Sequence, residues 1–132
     1  MSNPGFHRFR RHYTRDEARA LLPRVRAWII RLRELQPLLH HHGENVAHLL
    51  KGGRDAGGPE VNHWVKALTH TAAIARQFDR HEIQLKDLER GLVDFPSFYA
   101  GREVFLCWEE GEDDIEFWHD LDAGFAGRNP CG

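Results

Sequence analysis

Apolar residues recur through the first half of the chain with a helical period. Leu21, Val25, Trp28, Leu32, Leu35 and Leu39 follow one another at alternating steps of four and three residues, and Leu22 and Ile29 widen the stripe. That spacing marks one face of an α-helix and approaches a coiled-coil seam. Just ahead of it, Thr14-Arg15-Asp16-Glu17 has the form of a capping box. In such a box the threonine hydroxyl accepts from the amide three residues on, while the glutamate reaches back to the threonine amide. The pattern extends through Val46 and Leu50 to Gly52-Gly53, where glycine predicts the helix end. Pro23 and Pro37 fall inside it, and each removes a backbone bond and crowds the preceding turn. A bend or break is therefore expected near each. Beyond a glycine-rich loop over 52–59, Pro59 suits a first helical position. Val61, Trp64, Val65, Leu68, Ala72 and Ala75 then predict a second helix that ends near Asp79 to His81. The two stripes are expected to pack as an antiparallel hairpin.

The period then changes to two. Ile83 and Leu85 alternate with Gln84 and Lys86, and a turn follows at Glu89-Arg90-Gly91. Leu92 to Phe95 predicts a second strand, stopped by Pro96. Ala100-Gly101 turns the chain into a third strand from Glu103 to Trp108. An acidic loop over 109–114 leads to a fourth, from Ile115 to His119. Short connections between consecutive strands give an antiparallel meander. The expected fold class is α+β: an N-terminal antiparallel helical hairpin packed on a C-terminal antiparallel sheet of three or four strands. The whole chain is expected to form one domain, with a flexible basic arm over 1–12, the hairpin over 13–81, and the meander with a glycine-rich tail over 82–130.

A length of 132 residues, 41% hydrophobic and 29% charged, suits a single soluble globular domain with a true core. The net charge of −2 argues against wholesale nucleic-acid binding. Charge is unevenly spread, however. Nine arginines face two acids over 1–33, and fourteen acids face four bases over 79–122. The two halves are expected to attract each other, within one chain or between two. Cys107 and Cys131 make neither a disulfide framework nor a CxxC motif. No apolar run approaches the roughly 20 residues of a membrane span, and the arginines at the N-terminus precede no apolar signal segment. A cytoplasmic protein is expected.

The string Lys86-Asp87, Gly91-Leu92-Val93-Asp94-Phe95-Pro96, Gly101-Arg102-Glu103-Val104, Leu106-Cys107-Trp108, Gly111-Glu112, Trp118-His119 and Gly124-Phe125-Ala126-Gly127-Arg128 resembles a bacterial family known as domain of unknown function 2203. Ala20-Leu21-Leu22-Pro23 on the first helix fits that family too. The resemblance spans roughly residues 13–130 and implies a small bacterial protein, with no catalytic roles to carry over. The basic arm and the run His40-His41-His42 look particular to this chain.

Ten histidines invite a test for metal binding. His40, His41 and His42 are consecutive and fan around a helix, while His63 and His70 share a face two turns apart, too far for one ion. None matches HExxH or a Cys/His zinc pattern, so these side chains read as solvated, and no metal or cofactor is expected. The sheet offers a second constellation: Asp94, Cys107, Glu112, His119 and Arg128 as candidate ligand-binding residues. Each has a plainer reading. Cys107 reads as a small buried hydrophobe. Pairing across the acidic loop sets His119 nearer Val104 than Cys107, which weakens a Cys–His dyad. His119 reads as a core histidine bonded to a backbone group or to Asp94, or else as lining a small polar pocket. Glu112 bonds loop amides or is solvated. Asp94 fixes a turn or sits at the sheet edge, and Arg128 pairs with an acid of the sheet.

With no catalytic signature, the leading expectation is a non-enzymatic homodimeric interaction or regulatory protein. The alternative is a small-molecule-binding protein or enzyme with a polar site on the sheet. A second alternative, nucleic-acid binding, rests on the arginines of the arm, interleaved with Phe6, His7, Phe9, His12 and Tyr13. At least three of the five sheet candidates in one cleft would favour the small-molecule alternative over the interaction reading.

Overall fold

The capping box forms as the sequence dictates. Thr14 Oγ1 accepts from the Glu17 amide at 3.1 Å, and Glu17 Oε1 accepts from the Thr14 amide at 2.9 Å. In the computed structural model, which describes residues 7–52 and 58–131, this box opens helix α1 over Arg15–Lys51. Helix α2 covers Pro59–His81. Five strands follow: β1 Gln84–Asp87, β2 Leu92–Tyr99, β3 Arg102–Glu109, β4 Phe117–Asp120 and β5 Asn129–Pro130. They form one antiparallel sheet in chain order, so the architecture is α+β. The two-residue β5 extends the expected three or four strands to five. The first six residues of the basic arm and residues 53–57 of the glycine-rich loop lie outside the described residues.

The chain divides into two compact units. One comprises residues 1–27 with 78–132, the other residues 28–77. The first holds the sheet and the start of α1; the second holds the remainder of α1 and most of α2.

Several expectations are corrected. The helix α1 continues without interruption through Pro23 and Pro37. Both prolines lie on exposed positions. There, water can satisfy the carbonyl one turn back that each deprives of its partner. On α1 the buried positions fall on one edge of the expected stripe, which includes all of them but Ala18. Ala18, Leu22, Val25, Ile29 and Leu35 are buried, whereas Leu21, Trp28, Leu32 and Leu39 are half-buried. On α2 the enclosed positions are Ala67 and Phe78, flanked by half-buried Trp64, Thr71 and Ile74, while Val65 and Leu68 stay exposed. Periodicity thus found both helices and the buried side of α1, but misplaced the face of α2, where apolar residues flank the enclosed positions.

Strand β2 runs past Pro96 to Tyr99. Beyond Asp94, β2 pairs only with β3; β1 has already ended. The Pro96 carbonyl accepts from the Tyr13 amide at 2.7 Å, on the side away from β3. The missing proline N–H faces that same side, where no ladder bond is needed. The β2–β3 hairpin closes with Ala100 at φ 51° and Gly101 at φ 78°, flanked by the pair Tyr99–Arg102. Positive φ at both central positions matches the strand twist.

Strand alternation sorts the sheet into two faces. One carries Val93, Phe95, Val104 and Trp108, all fully buried. The start of the chain covers this face: the Tyr13 ring meets Phe95 edge-on, with centroids 5.6 Å apart, and Arg26 lies over Trp108. Residues 7–12 of the basic arm are tied down. The Arg8 and Phe9 amides donate to Glu103, and the Arg10 and Arg11 amides to Glu82.

The opposed charges of the two chain ends meet within this unit. Arg8 pairs with Asp122, and both Arg15 and Arg19 pair with Asp114. The Arg19 guanidinium, helped by the Ile115 amide, holds the Asp114 carboxyl at about 2, below its ordinary 3.8. A carboxyl depressed by folding adds stability above its unfolded value, and that contribution fades as pH falls through the folded value. Asp114→Asn is therefore expected to lower the urea midpoint at pH 6 and to converge on the wild type as pH drops from 3.8 toward 2. Equal midpoints at pH 6 would show that these exposed pairs contribute nothing to stability.

Candidate functional site

The second face of the sheet is built differently. Leu92 and Asp94 of β2, Phe105 and Cys107 of β3, and His119 of β4 lie on it by simple alternation. Asp94 stands directly opposite Cys107, and His119 stands opposite Phe105. His119 is therefore diagonal to Cys107, two residues along the same face. The expected pairing set His119 nearer Val104 than Cys107; the actual partner is Phe105, which keeps His119 on the Cys107 face, so the expected separation of the two side chains does not hold. Diagonal neighbours lie within reach of long side chains. The donor atoms of Asp94, Cys107 and His119 all lie within 4.8 Å of one another.

All three residues are buried. Asp94 is 2% exposed and lies on an interior strand, which corrects the expectation that it sits at the sheet edge. His119 bonds at both ring nitrogens, to the Asp120 carbonyl through Nδ1 at 2.7 Å and to Asp94 Oδ2 through Nε2 at 3.0 Å. The carbonyl only accepts, so Nδ1 carries a proton. Nε2 and the carboxylate oxygen then share one proton between them. Asp94 Oδ1, also buried, has no hydrogen-bond partner among the described residues.

Electrostatics follow from this crowding. Burial, reinforced by the neighbouring Asp94 carboxylate, pushes the Cys107 thiol up to about 12. Burial alone would lower the basicity of His119. The bond to Asp94 and that to the Asp120 carbonyl outweigh it, so the imidazole is held above its ordinary value. Both His119 ring nitrogens are already engaged, so His119 and Cys107 do not make a nucleophilic Cys–His dyad.

A cavity of about 280 Å³ opens beside the three residues. Leu92, Phe105, Leu121 and Phe125 form its apolar walls, and Lys86 and Asp122 stand among its polar lining. Lys86 and Phe105 were not singled out from the sequence. Phe105 was the easier to find, since it precedes Cys107 by two residues and so must share its face.

Glu112 and Arg128, the other two candidates, form a pair of their own outside the cavity lining. Arg128 donates to both Glu112 oxygens at 2.7 Å and reaches the Cys107 carbonyl at 3.4 Å. Its guanidinium carbon lies 4.0 Å from the ring centroid of Phe117 and 4.4 Å from that of Phe125. Glu112 also accepts from the Glu109 amide at 2.7 Å, so it binds a loop amide as its position in a hairpin suggested. This pair ties the acidic loop and the tail to β3, apart from Asp94, Cys107 and His119.

No helix among the described residues is long and apolar enough to cross a membrane. No curated protein and no solved structure matches the chain. The family described as an uncharacterized conserved protein (DUF2203) matches residues 11–131, a span that takes in both helices, the whole sheet and every residue of the buried site. The chain belongs to that family.

Proposed function

We propose that the protein holds a transition-metal ion of the zinc class between Asp94, Cys107 and His119 and uses it to bind and polarise a small molecule in the adjoining cavity. One observation carries this reading. A carboxylate, a thiol and an imidazole nitrogen converge in a buried place where one carboxylate oxygen has no hydrogen-bond partner among the described residues. Such a set is costly when empty of positive charge, because buried like charges repel and an unpaired acceptor forfeits its hydration. A divalent ion would replace the protons that now relieve the repulsion.

The donor types agree with this assignment. Sulfur, imidazole nitrogen and carboxylate oxygen together suit zinc and its neighbours. The Nδ1–H bond from His119 to a backbone carbonyl is the arrangement that fixes a ligating histidine with Nε2 toward the metal. Three protein ligands would leave a fourth position for water or a bound molecule, and all three residues line the cavity. An ion so placed acidifies a bound water or polarises an oxygen of a bound ligand. That three of the five sheet candidates share this cavity supports a small-molecule or catalytic role over a purely interactive one.

Cobalt(II) titration of the metal-free protein tests the reading. One equivalent should produce intense thiolate-to-cobalt charge-transfer absorption, with nuclear magnetic resonance shifts centred on Phe105, Cys107 and His119. The absorption should vanish in Cys107→Ser. Absence of the band, or its survival in that variant, would sink the proposal.

A further inference from the structure

We infer that the helical unit carries a second, independent site for a divalent first-row transition ion, formed by His42, Glu60 and His63. His42 comes from α1. Glu60 and His63 lie three residues apart on α2, so the helical repeat sets them side by side on one face. Each offers one donor atom, and the three atoms lie within 4.8 Å of one another. The site is partly assembled already. His42 Nδ1 lies 2.8 Å from Glu60 Oε2, and the Asn45 amide donates to the same oxygen at 3.3 Å. The His42 and His63 rings are 5.1 Å apart between centroids.

Those bonds also favour the anionic form of Glu60, whose carboxyl is held below the usual range by His42 first and Asn45 second. Two imidazoles and a carboxylate make a donor set suited to zinc, nickel, copper or cobalt. Zinc bonds to such donors measure about 2.0–2.2 Å. Closing on an ion therefore asks for side-chain rotation within the three residues. Access is open, since His63 is exposed and a cavity of about 300 Å³ adjoins both histidines. Consecutive histidines hid the site from the sequence: the pair that meets is His42 with His63, across two helices, rather than any pair close along one helix.

This site lacks a thiolate, which separates it experimentally from the cleft in the sheet. Untagged, metal-free full chain is titrated with zinc and followed by native mass spectrometry, then with cobalt and followed by visible absorption. One bound equivalent should disappear in His42→Ala/His63→Ala, with any thiolate charge-transfer band unchanged. His63→Ala alone, at an exposed position, should weaken the same equivalent and so guards against a folding defect from His42. Cys107→Ser should leave this equivalent intact. Uptake by the double variant equal to the parent's would overturn the inference. Loss of an ion in the double variant, with no thiolate band in any sample, would uphold this site and overturn the cleft reading instead.

Discussion

Trp108→Ala is expected to cost about 3–5 kcal/mol of folding stability, the range for deleting a large buried aromatic. Trp108 is fully buried near the C-terminal end of β3, opposite Val93 of β2. The indole also does polar work. Its Nε1–H donates to the Glu112 carbonyl at 3.0 Å, tying down the loop that bears the Glu112–Arg128 pair. The Arg26 guanidinium covers the ring from α1, 5.3 Å from its centroid. Truncation thus leaves a cavity, a carbonyl without its donor and an arginine without its platform. Trp108→Phe retains most of the volume and loses chiefly the hydrogen bond, a cost of about 1 kcal/mol. Urea denaturation of the three proteins measures both steps. A loss below about 2 kcal/mol for the alanine variant would mean that Trp108 is not central to the core.

Asp94→Asn is expected to abolish metal-dependent stabilisation while leaving the metal-free protein folded. The carboxamide preserves shape and volume but removes the anionic donor and the charge that a divalent ion would neutralise. An ion at one hundred times its dissociation constant stabilises a folded protein by about 2.7 kcal/mol when the unfolded chain does not bind it. Wild type titrated with zinc should gain stability of that order. Asp94→Asn at the same zinc concentration should gain almost none from the sheet site, since loss of even an outer-shell partner costs about 10–100-fold in affinity. Pairing the substitution with His42→Ala/His63→Ala removes any contribution from the helical unit. Thermal melts with zinc and with chelator, run on both proteins, supply the comparison. A wild type indifferent to zinc, or an asparagine variant stabilised as much as wild type, would make the buried cluster a purely structural network.

The two proposed sites differ in how they use the fold. The sheet site draws one residue from each of three adjacent strands and shields all of them from water. A backbone carbonyl orients its histidine. The helical site relies on one helix turn and one crossing residue, and its side chains remain partly open to solvent. Slow, tight exchange is therefore expected at the first and faster exchange at the second.

Local features of the sequence determined most of the architecture. The capping box at Thr14, the glycine after α1, Pro59 at the start of α2 and the period-two segments fixed the elements and their order, because each acts within a few residues of chain. The charge asymmetry likewise announced the pairs that join Arg8, Arg15 and Arg19 to Asp122 and Asp114. Tertiary structure decided what depends on neighbours far along the chain. It chose which edge of the broad α1 stripe, and which face of α2, turns inward. It put Pro96 where β1 has ended, so that a missing N–H costs no ladder bond. Above all it set the register that brings Asp94 opposite Cys107 and leaves His119 two residues off on the same face. Residues 25 apart in sequence then share a hydrogen bond in a buried cleft. Spacing along the chain cannot encode that meeting, because strand register is fixed by the packing of whole faces rather than by any one residue.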